Sequence, residues 1–211
     1  MIKTQFEAMG CAMAAFLDTS GSEAARMLEQ VPAWFEDWEQ VLSRFRADSD
    51  LSRLNQDFRP AVEVSPLLLE VIHAALVAAE LTAGLVTPTL LGHLEQAGYA
   101  RSFETIGSGA DAPSVVRTQM QPDATAWRQI QIDQAGGRIQ RPEGMRLDLG
   151  GIGKGWAARQ AMLRLAPFGP ALVDAGGDIA VSGCMSDGSR WPVALEDPLK
   201  VNERLELLML D

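Results

Sequence analysis

The chain has 211 residues, of which 47% are hydrophobic and 22% charged, with a formal net charge of −10. That length and balance fit a folded chain with a real core and exclude a disordered one. The acidic excess argues against nucleic acid as a partner, because phosphate backbones recruit basic patches. It leaves anionic cofactors open, since backbone N–H groups, one lysine or a metal ion can hold them.

Two cysteines, Cys11 and Cys184, allow at most one disulfide and no metal-binding cluster. His73 and His93 sit in helix-like surroundings and read as structural or surface residues. The N-terminus shows no basic segment followed by an apolar stretch, and no run of about 18 apolar residues occurs. As written, the chain reads as cytoplasmic with no membrane span, while export of a longer precursor stays open.

In chain order, residues 11–17 are an apolar run that predicts a strand. Ser22 is placed to cap a helix running to about Leu42, with Trp34, Phe35 and Trp38 at helical spacing as core residues. Residues 43–55 carry small polar residues that favour turns and caps. Residues 60–64 alternate briefly. Ser65-Pro66 predicts a helix start, and Gly84 its stop after about Ala83. Thr87-Pro88 repeats that device before a short helix ending at Gly98. Residues 105–126 read as a surface loop. Short strands are expected within 127–148 around the Gly136-Gly137 turn. A helix follows from about Gly153 to Leu165, then strands near 171–175, 178–182, 191–195 and 205–210. Helices mostly first and strands mostly later give an α+β fold, with an N-terminal strand and helices before mainly antiparallel strands.

The segment most informative for chemistry is Arg146-Leu-Asp-Leu-Gly-Gly-Ile-Gly-Lys-Gly155. An apolar strand ending in Asp148 is expected to pass through four glycines into a helix. Glycines let the backbone approach an anion, and a helix N-terminus offers unpaired N–H groups and a positive dipole end. Lys154 adds a cation, and Asp148 could accept hydrogen bonds from a ring N–H or a ribose hydroxyl. The spacing matches neither the P-loop nor the Rossmann fingerprint. Local spacing alone also allows an empty strand-to-helix turn.

Companion segments narrow this reading. Ala8-Met-Gly10 stands near the start, followed by Ser43-Arg-Phe45 and Leu54-Asn55. Gly84-Leu-Val-Thr-Pro-Thr89, Ala97-Gly-Tyr99 and Val173-Asp-Ala-Gly-Gly-Asp-Ile179 complete the set. In this order, with the glycine run, they resemble the ApbE-type FAD:protein FMN transferases over nearly the whole chain.

That resemblance implies an enzyme that splits FAD and transfers FMN, through a phosphoester, to a threonine of an acceptor protein, with Mg²⁺. Acceptors in the family are often subunits of electron-transfer complexes. It implies cofactor-binding roles for Met9, Phe45, Leu85, Val86, Thr87, Asp148 and Lys154. The Gly151 carbonyl would be a metal ligand, and Asn55 and Asp178 would be structural. No catalytic residue is assigned. Two departures stand out. Thr87 occupies a position where the family often has aspartate, removing a charge but keeping a side-chain oxygen. The family's later Thr-Ser-Gly, His-Ile/Leu-Ile-Asp-Pro and Asp/Thr metal-binding segments do not occur, so residues 1–211 are expected to be one ApbE-like domain lacking its C-terminal portion. The alternative functional reading is a non-catalytic FAD-binding protein, and a third is an α+β domain with no ligand.

Overall fold

A computed structural model describes residues 1–100, 123–200 and 203–211. Its elements are β1 (Ile2–Ala8), β2 (Cys11–Leu17), α1 (Ser22–Leu28), α2 (Val31–Leu42), α3 (Asp50–Gln56), β3 (Ala61–Glu63), α4 (Pro66–Leu81), α5 (Leu91–Gln96), β4 (Gln131–Asp133), β5 (Arg138–Gln140), α6 (Gly153–Leu165), β6 (Ala171–Ala175), β7 (Asp178–Val181), β8 (Trp191–Glu196) and β9 (Arg204–Leu210). The mixture of helices and antiparallel sheet is the α+β class expected. The chain divides into two compact units, one of Met1–Phe35 with Lys154–Asp211 and one of Glu36–Gly153.

The first unit holds an antiparallel sheet in the order β1-β2-β6-β7. Strand β1 was not expected, although Ile2–Ala8 alternates half-buried and exposed residues along its length. It pairs with β2 through Ala8↔Cys11, leaving only Met9 and Gly10 as the loop. Both have positive φ, 50° and 71°, as a tight hairpin turn requires. Met9 holds this conformation without the freedom of glycine, which is uncommon. Met13, Ala15 and Leu17 of β2 and Val173 and Ala175 of β6 are buried. In the same unit the Phe6 and Phe35 rings meet edge to face, 5.2 Å apart. A separate β8–β9 ribbon is anchored by Trp191, which is buried and donates its indole N–H to the Gly183 carbonyl at 2.9 Å.

The single helix expected over 22–42 is two helices. Pro32, lacking an N–H, sits at the start of α2 and ends the α1 ladder before it. The cap position of α1 is Gly21, with no side-chain cap, rather than Ser22. Phe35 and Trp38 are buried, as the helical spacing predicted.

In the second unit, α4 follows its sequence signals closely. Ser65 accepts from the Leu68 N–H, Pro66 opens the helix, and Leu68, Leu69, Val71, Ile72, Ala75 and Ala79 face inward. Each such large apolar side chain, fully buried, contributes roughly 1.5–3 kcal/mol. Gly84 closes the helix with φ +87°, donating to the Ala79 carbonyl at 2.7 Å. A β-carbon there would lie 2.1 Å from the Ala124 carbonyl oxygen, so only glycine fits.

Within residues 43–55, where turns and caps were expected, Ser49, fully buried, caps α3 by accepting from the Ser52 N–H at 3.0 Å. Two expectations in this unit are corrected. No helix starts at Thr87-Pro88. The Thr87 hydroxyl pairs with the Thr89 hydroxyl, and α5 begins only at Leu91. Residues 146–148 form no strand, because the Asn55 side chain stands where a neighbouring strand would. Its amide donates to the Leu147 carbonyl at 2.8 Å, and its oxygen accepts from the Leu147 N–H at 2.7 Å. Strands β4 and β5 do flank the Gly136-Gly137 turn, and β5 also pairs with β3. Of the loop expected at 105–126, residues 105–122 lie outside the described residues.

Candidate flavin site

In the second unit the glycine-rich segment is built on one ion pair. The Arg44 Nε lies 2.6 Å from the Asp148 Oδ2, and their side chains are only 7% and 12% exposed. The other Asp148 oxygen accepts from the Gly150 N–H at 2.9 Å, which bends the chain into the turn. The Asp148 N–H donates to the Pro88 carbonyl at 2.8 Å, tying the turn to residues 86–89. A β-carbon at Gly151 would lie 3.6 Å from Val86, so Val86 borders the glycines. Each carboxylate oxygen carries two lone pairs, so Asp148 retains acceptor capacity for a further donor.

Arg44 also carries the aromatic residues. Its guanidinium sits 4.1 Å from the Phe45 ring centroid and 4.5 Å from that of Tyr99, and its Nη2 donates to the Tyr99 carbonyl at 2.8 Å. The two rings meet edge to face at 5.6 Å. Phe45 is 41% exposed, so an orienting cation holds the ring while part of its surface stays open to solvent. Leu85 is 88% exposed beside Val86 and Thr87. Phe45, Val86, Thr87, Asp148 and the Gly151 backbone therefore gather in this unit, with Leu85 at the edge.

The other two residues singled out from the sequence lie in the first unit. Met9 forms the β1–β2 turn, and Lys154 is the second residue of α6. The Lys154 ammonium is 3.6 Å from the Cys11 sulfur. Asp178 starts β7, near the α6 glycine Gly155, whose β-carbon would stand 3.9 Å from its carboxylate. Both cysteines are free thiols. His73 lies on α4 and His93 on α5.

The donor set bears differently on the two groups that the resemblance implies. In the second unit, an exposed aromatic face, a carboxylate with free acceptor capacity and backbone glycines suit a nucleotide with a flat ring. For Mg²⁺, Gly151 offers one carbonyl oxygen, a hard ligand. Among the described residues no three His, Cys, Asp or Glu side chains stand together to complete such a site. Among the same residues no helix is long and apolar enough to cross a membrane.

Sequence reasoning gave no role to Arg44, Tyr99, Cys11 or Gly176. The signal for Arg44 was its place beside Phe45, since an arginine next to an exposed aromatic is a ready stacking partner. Ala97-Gly-Tyr99 stood among the ordered segments, but nothing local pointed to the contact of Tyr99 with Arg44, 55 residues away.

Comparison with known proteins gives one consistent result. The profile of the ApbE family matches residues 9–211. The chain is 27% identical to the FAD:protein FMN transferase of Treponema pallidum (strain Nichols), over 94% of its own length and 58% of that protein's. A crystal structure of the ApbE protein from Thermotoga maritima superposes with a TM-score of 0.81 at 22% identity, covering 99% of this chain and 67% of that one. The apo form of the Pseudomonas stutzeri flavinyl transferase ApbE gives 0.73 at 22% identity, covering 100% and 65%. The chain thus spans between about half and two thirds of these relatives' lengths.

Proposed function

The chain belongs to the ApbE family, and from that premise we propose that it binds FAD and serves the transfer of FMN to an acceptor protein. The observation that carries this reading is the Arg44–Asp148–Gly150 arrangement, which fixes an aromatic face, a carboxylate and a glycine turn in one place. FAD needs those three contacts: stacking for a ring, an acceptor for a ring N–H or ribose hydroxyl, and close backbone approach for a diphosphate.

In this reading Phe45 stacks against a ring, with Leu85, Val86 and Thr87 lining the same edge. Asp148 accepts from the cofactor, and Met9 and Lys154 contribute a packing surface and a cation. Thr87 serves as a neutral oxygen donor or acceptor. The acceptor is a threonine of a protein, an electron-transfer subunit being the class the family suggests. Mg²⁺ would neutralise charge on the diphosphate when bound, with the Gly151 carbonyl as one ligand. The metal part of the reading rests on family resemblance, and the chain's own residues act by positioning the nucleotide.

Titration of the chain with FAD, followed by flavin fluorescence, tests the binding step. Phe45→Ala and Lys154→Ala should each weaken binding by about tenfold, the scale of a lost stacking or charge-assisted contact. Unchanged affinity in both would remove the assignment. Incubation with FAD, Mg²⁺ and a threonine-bearing acceptor domain should then give covalently bound FMN. Tight FAD binding without transfer would favour the non-catalytic alternative.

A further inference from the structure

Three elements of the first unit converge on one contact that the flavin reading does not use. Cys11 is the first residue of β2, directly after the Met9-Gly10 turn. Lys154 stands in the first turn of α6. Gly176 lies in the two-residue turn between β6 and β7, with φ +65°. The pairing Met13↔Ala175 sets β2 beside β6 and brings Cys11 toward that turn. The Cys11 sulfur and the Lys154 nitrogen are 3.6 Å apart. A β-carbon at Gly176 would lie 2.7 Å from the Cys11 β-carbon, 3.0 Å from its sulfur and 3.7 Å from the lysine nitrogen. Glycine at 176 is therefore what lets the thiol sit here beside the ammonium. Cys11 is half-buried and not disulfide-bonded, so a small oxidant can reach it.

We propose that Cys11 and Lys154 are an oxidant-driven modification site, at which a hydroperoxide joins Sγ to Nζ as a sulfenamide. In the first step the sulfur attacks the peroxide, the O–O bond breaks and Cys11 becomes a sulfenic acid. The sulfur is oxidised by two electrons and the peroxide is reduced to water or an alcohol. In the second step the lysine nitrogen, after giving up a proton to solvent, attacks that sulfur. The S–O bond breaks, the S–N bond forms, and the departing oxygen leaves as water with a proton from the nitrogen. This step needs no further oxidant. The long lysine side chain can close the remaining gap without backbone movement, and a thiol reductant reverses the linkage. Resting on the flavin reading, the linkage also has a functional result. The Lys154 positive charge disappears and its nitrogen is tethered to β2, so FAD loses its cationic contact.

The experiment treats the full chain and its Cys184→Ser variant with hydrogen peroxide and maps the digested products by mass. The expected result is one peptide pair joined through Cys11 and Lys154, two hydrogens lighter than its parts. Dithiothreitol should release it, and Lys154→Arg should abolish it. The inference is overturned if Cys11 is recovered unlinked, as a free thiol, a sulfinic or sulfonic acid, or a disulfide with Cys184. It is equally overturned if Cys11 links to other amines as readily as to Lys154. The linked chain should bind FAD about tenfold more weakly than the reduced one. A linkage that forms but leaves FAD affinity unchanged removes Lys154 from the flavin site and leaves the modification standing. If the reduced chain does not bind FAD at all, the flavin reading fails on its own.

Discussion

Arg44–Asp148 and Arg59–Asp57 join the same two side-chain types in opposite settings. The first is enclosed, with exposures of 7% and 12%, and it joins Phe45 and Tyr99, on the Arg44 side, to the Gly150 turn on the Asp148 side. The second joins an exposed Arg59, 74% open, to a half-buried Asp57, 21% open, two residues away, and several hydrogen bonds from Arg59 to Asp57 close it. Arg146–Glu95 lies between them in the exposure of its arginine, with side chains 38% and 33% exposed. The contrast teaches that hydrogen-bond number does not measure structural importance. Water can replace what the Arg59–Asp57 pair supplies, but among buried groups little can replace the partner of Arg44.

The largest test removes one member of the enclosed pair. Asp148→Ala leaves a buried guanidinium unpaired and should cost about 3–5 kcal/mol in urea unfolding. The double replacement Arg44→Leu, Asp148→Leu should recover much of that stability while abolishing FAD binding, separating the fold from the site. Equal stability of the single and double variants would show that burial does not distinguish this pair. An intermediate effect is expected for Glu95→Gln, about 0.2–1 kcal/mol, diminishing with added salt.

The smallest effect is expected at Asp57. The hydrogen bonds from the Arg59 side chain hold its carboxyl at about 2, below its ordinary 3.8. Between those values the folded chain binds fewer protons than the unfolded one. Any stabilisation is therefore complete above the unfolded value and lost as pH falls toward 2. Because the Arg59 side chain is largely open to solvent and water can take its place at the carboxylate, Arg59→Ala should leave the unfolding midpoint at pH 7 unchanged within error. It should nevertheless raise the Asp57 titration midpoint seen by NMR. A large loss of stability would erase the contrast with Arg44.

What was legible in the sequence follows the same division between local and distant causes. Ser65-Pro66, Gly84 and the helix from Gly153 to Leu165 were readable because their causes lie within a few residues. Strand β1 also showed its alternation, but its half-buried pattern is weak without the β2 partner that gives it meaning. Ser49 went unread as a cap because a polar run offers several candidate caps, and tertiary burial selects one. The false strand at 146–148 had the right composition, yet its backbone groups are taken by Asn55, 92 residues away. The site divides likewise. Phe45, Asp148 and the glycines became candidates through ordered motifs, whereas the Arg44 contacts and the Cys11–Lys154 meeting depend on pairings that no local pattern encodes.

The Asn55 contact carries a consequence for chemical ageing. One primary amide both gives and takes a hydrogen bond at Leu147, next to Asp148. Spontaneous hydrolysis to a carboxylate would exchange the donor for an oxygen facing the Leu147 carbonyl oxygen, turning an attraction into a repulsion. The segment entering the glycine turn would then be released from its side-chain clamp by a change of a single atom group. Stored protein would lose its site gradually, molecule by molecule, while its helices and sheets stayed folded.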